Sequence, residues 1–170
     1  MDSGGEAVND LPFNAEQIYP LRQKQIIASS AVVGLGPGDM QAEVAPGESL
    51  QFTFNVFIGN QTTSTVKFNI GTPANPNGGF QIIGAGLCGS VFGTSYTADD
   101  FNNPVGALRG GPPATLLSCD VVTVTGNLAN GAQPGLLSLT IEDADDLHVW
   151  PISHLQVKRI ANARTNEVGA

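Results

Sequence analysis

Charged side chains are scarce in this sequence of 170 residues, because Asp, Glu, Lys and Arg occupy only 13% of its positions. An ordinary soluble domain carries about 25% charged residues. Seven Lys and Arg residues stand against 15 Asp and Glu residues, so the formal net charge is −8. Direct binding of nucleic acid needs clustered Lys and Arg. We therefore expect no direct nucleic-acid binding.

Cysteine, aromatic residues and long apolar runs are also few. The two cysteines, Cys88 and Cys119, lack metal-ligand spacing, and their sequence positions leave a disulfide between them open. Only one Trp and two Tyr are available as platforms for sugar rings. The sequence has no run of about 18 apolar residues, which a membrane-spanning helix needs. The first residues, MDSGGEAVND, lack the basic and apolar regions of a signal peptide, so we expect synthesis in the cytoplasm.

Strict alternation of apolar and polar residues is the main signal that is present. In residues 50–58, LQFTFNVFI, every second residue is large and apolar. This period of two indicates a half-buried β-strand. Residues 65–70, TVKFNI, repeat the pattern, and the short segment between them predicts a hairpin or two neighbouring strands of one sheet. Further strands are predicted over residues 25–33, 80–87, 90–96, 116–125, 136–141, 147–152 and 154–160.

The predicted strands are short, and Gly, Pro and Asn separate them, with no convincing amphipathic helix. This arrangement predicts an all-β protein, an antiparallel β-sandwich that is jelly-roll-like and has about eight strands. We place the sandwich domain at residues 25–160. Residues 1–24 and 161–170 are polar and are predicted to be extended N- and C-terminal arms, and a short helical turn over residues 14–19 is an alternative within the first arm. Spaced apolar residues of the first arm are candidate anchors on neighbouring subunits: Leu11, Phe13, Ile18, Tyr19 and Leu21.

The stretch AVVGLGPGDM, residues 31–40, carries glycine at three alternate positions. Its VVGLGPGD segment resembles the N-terminal glycine loop of the tetrapyrrole methyltransferases. That resemblance implies S-adenosylmethionine binding in front of a helix. Alternating residues and a Pro-Gly break follow here instead, so we interpret the resemblance as coincidental. We predict no cofactor and a type II-like turn in which glycine has a positive φ, whereas a helix beginning at Asp39 would contradict this interpretation.

Two other clusters are candidates for a site. The acidic turn after residue 141 is a weak candidate for calcium, and its more ordinary interpretation is a solvated turn. His148 and His154 flank Trp150, but no third metal ligand is evident, so a packed edge strand is the favoured interpretation. No catalytic motif is present, and we expect no enzyme and no small-molecule substrate. The four carboxylates of the acidic turn are Glu142, Asp143, Asp145 and Asp146.

The architecture and composition of residues 25–160 resemble single jelly-roll capsid proteins of icosahedral viruses. The resemblance is greatest to the small capsid subunits of membrane-containing double-stranded DNA phages, and phage decoration proteins are also similar. It implies a structural virion protein, made in the host cytoplasm, that assembles with copies of itself and other virion proteins. Contacts would come from loops such as 71–79 and 99–113 and from both arms, with a membrane or a protein layer beneath.

Two alternatives of other classes remain open in the sequence. One is a non-enzymatic β-sandwich module that binds a carbohydrate or a protein in adhesion. The other is a cupin-type enzyme, which would need a cluster of His and carboxylate metal ligands.

Overall fold

Nearly all the regular structure is β-strand in the computed structural model, which describes residues 15–59, 65–85, 92–109 and 120–161. The exception is a short 3₁₀ helix, Ala98–Asp100, and no helix among these residues has the length and apolar character to cross a bilayer. The described strands are β1 (Glu16–Pro20), β2 (Gln25–Ile27), β3 (Ala31–Val32), β4 (Ala42–Val44), β5 (Ser49–Gly59), β6 (Thr65–Gly71), β7 (Asn77–Ala85), β8 (Phe92–Thr97), β9 (Val105–Arg109), β10 (Asp120–Ala129), β11 (Gly135–Glu142), β12 (Leu147–Val149) and β13 (His154–Ala161).

The strands form two antiparallel sheets. The larger sheet has eight strands in the order β1-β13-β5-β10-β7-β8, with β12 beside β5 and β2 beside β12. The smaller sheet has five strands in the order β3-β11-β6-β9, with β4 also on β11. Strands distant in sequence pair in a nested way: β5 with β13, β6 with β11 and β7 with β10. Nested pairs of this kind arise when one long hairpin folds over so that its strands are shared between two sheets, as in a jelly roll. The predicted antiparallel, jelly-roll-like sandwich is therefore confirmed.

The expected number of strands, about eight, is too low. Two additional strands, β1 and β9, lie in the predicted arm and in the predicted loop 99–113. A third arises because residues 25–33 form both β2 and β3, and a fourth is the three-residue β4, which follows the glycine loop.

One apolar core lies between the two sheets, and alternation along the strands places its side chains there. The inward face of β5 is fully apolar, as the sequence predicts, and so are the inward faces of β6 and β11. The buried residues of these strands are Leu50, Phe52, Phe54, Val56 and Ile58 on β5, Val66, Phe68 and Ile70 on β6, and Leu137, Leu139 and Ile141 on β11.

The predicted hairpin of β5 and β6 is wrong. β5 pairs with β10 and β13 in the larger sheet, and β6 pairs with β11 and β9 in the smaller one. Each strand has one apolar face, and the two faces meet the same core from opposite sides. Alternation specifies which residues are buried, but it does not specify which strand lies alongside.

The predicted strand over residues 25–33 is two strands in two sheets. β2 pairs with β12 in the larger sheet, whereas β3 pairs with β11 in the smaller one. The chain therefore crosses from one sheet to the other at residues 28–30. The predicted loops 71–79 and 99–113 are also shorter than expected, because β7 begins at Asn77 and β9 occupies Val105–Arg109.

β1 lies inside the predicted N-terminal arm. It is an edge strand of the larger sheet and pairs with β13, so the helical turn considered for residues 14–19 is wrong where the structure describes it. The residue after it, Leu21, donates its backbone N–H to the carbonyl of Ser153 at 2.9 Å. The remainder of the predicted arms, residues 1–14 and 162–170, and both cysteines, Cys88 and Cys119, lie outside the described residues.

Candidate functional site

The glycine-rich segment forms a hydrogen-bonded loop between β3 and β4. Gly34, Gly36 and Gly38 have φ angles of 89°, 145° and 84°. The backbone N–H of Asp39 donates to the carbonyl of Gly36 at 2.9 Å, around Pro37 and Gly38. Proline in the second position and a positive-φ glycine in the third are the features of a type II turn. The predicted turn is confirmed, and no helix begins at Asp39, because the chain continues into β4.

The Asp39 side chain is buried at the centre of this loop, with 3% of the residue exposed. Its Oδ1 accepts the backbone N–H of Arg22 at 2.8 Å, and its Oδ2 accepts that of Leu35 at 2.9 Å. Hydrogen bonds to an ionised carboxylate are among the stronger ones in proteins. Because Arg22 follows β1, the first bond ties the edge of the larger sheet to the loop at the edge of the smaller sheet.

Two glutamine side chains add further hydrogen bonds to the loop. Gln25 donates through Nε2 to the carbonyl of Val32 at 2.8 Å and accepts the N–H of Gly34 at 2.9 Å through Oε1. Gln41 donates through Nε2 to the carbonyl of Gly34 at 3.4 Å. A Cβ at Gly34 would lie 1.8 Å from the carbonyl oxygen of Asp39, so this position excludes every other residue.

Leu35 projects from this ordered loop. It is 84% exposed, more than any other large apolar residue in the described part of the chain. Ile26 and Val32, which are also exposed, lie on β2 and β3, the two strands that the Gln25 side chain links. Leu35 was not among the candidate residues predicted from the sequence. The available signal was a large apolar residue between two glycines of a turn.

The candidate arm anchors have different surroundings. Ile18, on β1, is 63% exposed. Tyr19 is partly buried against the core, and its hydroxyl donates to Oε1 of Gln17 at 2.8 Å. Leu21 is buried in the core of its own chain, so Ile18 is the most exposed of the candidate anchors that the structure describes. Leu11 and Phe13 lie outside the described residues.

The acidic turn lies between β11 and β12 and contains an ion pair. Lys67 Nζ lies 2.8 Å from Oδ2 of Asp143, and their hydrogen bond and charge interaction raise the pKa of Lys67. Asp146 Oδ1 lies 3.8 Å from Nε2 of His148. Across the described ranges, no three His, Cys, Asp or Glu side chains are grouped in a way that could hold a metal ion. Glu142 and Asp145, the other two candidates, thus belong to no assembled ligand set.

Both ring nitrogens of His154 have hydrogen-bond partners. Nδ1 lies 3.2 Å from the carbonyl oxygen of Ile152, which can only accept, so Nδ1 carries the proton. Nε2 is then the acceptor for the side-chain amide of Asn55, at 3.2 Å. Asn55 in turn accepts the hydroxyl of Thr123 at 3.1 Å. The lone pair that a metal would need is therefore engaged in a polar chain across three strands.

The aromatic rings that a sugar would stack on are partly covered. Lys24 Nζ lies 4.5 Å from the centre of the Trp150 ring, and the His148 ring meets that indole edge-on at 5.8 Å. Tyr96 stacks on Phe80 with ring centroids 5.0 Å apart. These contacts do not favour a carbohydrate platform at Trp150 or Tyr96.

No protein-family model and no curated protein matches this sequence. Among solved structures, those of infectious bursal disease virus strains Gx and Gt are similar at 9% and 10% sequence identity, with TM-scores of 0.23 and 0.22. The matches cover 100% and 91% of this chain and 48% and 44% of those chains, so this chain spans about half their length. At these TM-scores the likeness carries no argument about function, and the fold rests on the strand pairing described above.

Proposed function

We propose that this chain is a structural virion protein, a capsid subunit of an icosahedral virus or phage. It assembles with copies of itself and with other virion proteins through its sandwich loops and terminal arms. It performs no catalysis and binds no nucleic acid directly. A membrane or a second protein layer lies beneath the shell that it forms.

The pairing of the strands that the two predicted arms adjoin is the observation that carries this proposal. β1 and β13 are antiparallel neighbours, with Glu16 opposite Lys158. The start of β1 and the end of β13 therefore lie at the same end of the larger sheet, on adjacent strands. A neighbouring subunit bound at this edge is within reach of both arms.

The surface of this edge also suits an interface between subunits. Ile18 stands on β1 with 63% of its surface exposed, next to the point where the arms leave. Charged residues are depleted from the cores of protein interfaces, and this chain has few of them over its whole length. An apolar residue on an edge strand and a weakly charged surface together favour burial against another protein.

Removal of residues 1–14 tests the proposal, because this deletion leaves β1 and the buried Leu21 in place. We expect the truncated chain to keep its far-UV circular dichroism and to lose assembly, with the light scattering of the full chain reduced about tenfold or more. Replacing Leu11 and Phe13 together by Ser should have the same effect. Replacing Asn9 and Asn14 together by Ser is the matched control and should leave assembly unchanged. Assembly by the truncated chain at the level of the full chain would refute the role of the arm.

A further inference from the structure

We propose that Asn77 is a site of slow chemical modification, at which the side-chain amide is converted, without an enzyme, to aspartate or isoaspartate. Asn-Gly occurs twice in the sequence, as Asn77-Gly78 and Asn130-Gly131. Asparagine is a thermolabile residue, and it reacts most readily before glycine, because the missing side chain leaves the backbone nitrogen accessible. The structure leaves only the first of the two dipeptides able to react. This inference goes beyond the proposed function and does not depend on it.

The reaction needs the backbone nitrogen of Gly78 to reach Cγ of Asn77. A bond forms between these two atoms, and Nδ2 leaves as ammonia with the proton that the Gly78 nitrogen gives up. Solvent water then opens the resulting succinimide ring. Opening at Cγ gives aspartate, whereas opening at the backbone carbonyl carbon gives isoaspartate, in which the main chain runs through the former side chain. No oxidant or reductant takes part.

Asn77 lies where this attack is possible. It is the first residue of β7, and both it and Gly78 are exposed. The pairing of β7 with β10 ends there, with Asn77 opposite Ala129, and the pairing with β8 starts only at Gly79. The Asn77 side chain forms no hydrogen bond with the described part of the chain. Opening of such a strand end requires little free energy, so the amide can reach the geometry of attack.

Asn130 is held in place at the second Asn-Gly dipeptide. The residue is buried, with 8% of its surface exposed. Its Nδ2 donates to the carbonyl of Ala45 at 2.7 Å and to that of Gln133 at 2.9 Å. Its backbone N–H donates to the carbonyl of Glu48 at 2.7 Å. Reaction at Asn130 would break both side-chain hydrogen bonds in a buried site, which costs free energy. Asn130 should therefore react only when this end of the sandwich unfolds.

Modification at Asn77 changes the charge of one end of the larger sheet. Each event adds one negative charge to a chain whose formal net charge is −8. β8 leads from Thr97, opposite Gly79, into the 3₁₀ helix, which contacts β7 and contains Asp99 and Asp100. The new carboxylate thus joins two others at this end, and like charges repel. Isoaspartate also lengthens the main chain at the first pair of β7 with β10. Aged molecules therefore differ from newly made ones in this region.

Incubation of the full chain at mildly alkaline pH in heavy-oxygen water, followed by peptide mapping with mass spectrometry, tests the inference. We expect heavy oxygen to enter at Asn77 about tenfold or more faster than at Asn130. Asn77→Gln should accumulate acidic species more slowly on isoelectric focusing, because glutamine must form a larger ring. The change is made at Asn77 because a Cβ at Gly78 would lie 2.0 Å from the carbonyl oxygen of Asn127. Asn127→Gln, at an exposed asparagine before leucine, is the matched control and should leave the accumulation unchanged.

The unfolded chain in guanidinium chloride gives the reference rates. Without the fold, the two Asn-Gly dipeptides should react within about twofold of each other. Equal rates at Asn77 and Asn130 in the folded chain would overturn the inference, and so would an Asn77 that reacts in denaturant but stays unmodified in the folded chain. A rate difference in denaturant as large as that in the folded chain would also overturn it, because the difference would then come from local sequence. Equal slowing in Asn127→Gln would count against it in the same way.

Discussion

Glu48 and Arg159 form an ion pair where the turn before β5 meets the end of β13. The carboxylate is almost fully buried, and its Oε2 also accepts the backbone N–H of Ala45 at 2.9 Å. Arg159 donates in addition to Oε1 of Gln17 and to the carbonyl of Glu43, each at 3.2 Å. Burial lowers the pKa of Arg159, but hydrogen bonds and charge interactions with Glu48 and then with Tyr19 together outweigh this effect and raise it. This one side chain thus joins β1, β4 and the turn before β5.

The variant Arg159→Met tests how much that ion pair contributes to the stability of the fold. Removing one partner of a buried pair costs about 3–5 kcal/mol because the other charge stays buried. Arg159 keeps 21% of its side-chain surface exposed, so we expect the free energy of unfolding to fall by about 2–4 kcal/mol. Urea unfolding followed by Trp150 fluorescence measures this change. Lys158→Met, at an exposed neighbouring position, is the control and should change stability by about 0.5 kcal/mol or less.

The same pair gives a prediction for alkaline pH. A group whose folded pKa is raised contributes stability that is complete below its unfolded pKa and is lost only as the pH rises through the folded value. For Arg159 that window lies above the ordinary arginine pKa, at strongly alkaline pH. The difference in the free energy of unfolding between the unchanged chain and Arg159→Met should therefore be constant from neutral pH to about pH 10. A difference that shrinks over this range, or an equal loss in the Lys158 control, would contradict this account of the pair.

Among the elements, β10 continues beyond residue 125, where its predicted strand ends, to Ala129. Val122 and Val124 are buried on its inward face, and so is Leu128 in the unpredicted part. Gly126 occupies the inward position between them. A Cβ there would lie 2.5 Å from the carbonyl oxygen of Gly79, 2.7 Å from Cζ of Phe52 and 2.8 Å from Cβ of Phe80. The glycine makes room for the backbone of β7 and for two aromatic residues from the neighbouring strands β5 and β7.

Gly126→Ala should therefore overpack the core rather than strengthen the strand. An added methyl group in a packed core costs about 1–3 kcal/mol, and we expect this loss in the free energy of unfolding. Asn127→Ala, on the outward face of the same strand, is the control and should change stability by about 0.5 kcal/mol or less. Thermal or urea unfolding of both variants gives the comparison. A neutral or stabilising Gly126→Ala would show that the two aromatic residues do not need the space.

At the scale of the whole molecule, the two sheets share one core, and aromatic contacts connect distant parts of the chain. The Phe52 ring on β5 lies 6.4 Å from that of Phe101, which follows the 3₁₀ helix, and Phe101 lies 5.2 Å from Phe80 on β7. Neither sheet has a separate apolar cluster among the described residues. The sheets should therefore unfold together.

The variant Phe68→Ala tests this cooperativity. Phe68 is fully buried on β6 in the smaller sheet, whereas Trp150 follows β12 of the larger sheet. Truncation of a buried phenylalanine costs about 3–5 kcal/mol, so both far-UV circular dichroism and Trp150 fluorescence should shift to lower urea by the same amount. If the urea midpoint of Phe68→Ala shifts by circular dichroism but stays at that of the unchanged chain by Trp150 fluorescence, the two sheets unfold separately.

Much of the glycine loop was predictable from the sequence, but the exposure of Leu35 was not. The spacing of the glycines and the position of Pro37 specify a turn with positive φ, because few other residues adopt that conformation. The burial of Asp39 was not predictable, since its two donors come from Leu35 and, outside the loop, from Arg22. The exposure of Leu35 follows from that arrangement.

The sequence by itself determined the secondary structure class, the buried face of each long strand and the turn chemistry, because these depend on a period of two and on local backbone sterics. Only the tertiary structure decided that β5 and β6 lie in different sheets, that residues 25–33 divide between both sheets, and that β1 joins β13. Strand neighbours are chosen by backbone pairing and shape across the whole core, and no local pattern encodes that choice. The same global packing left Ile18 and Leu35 at the surface and buried Leu21.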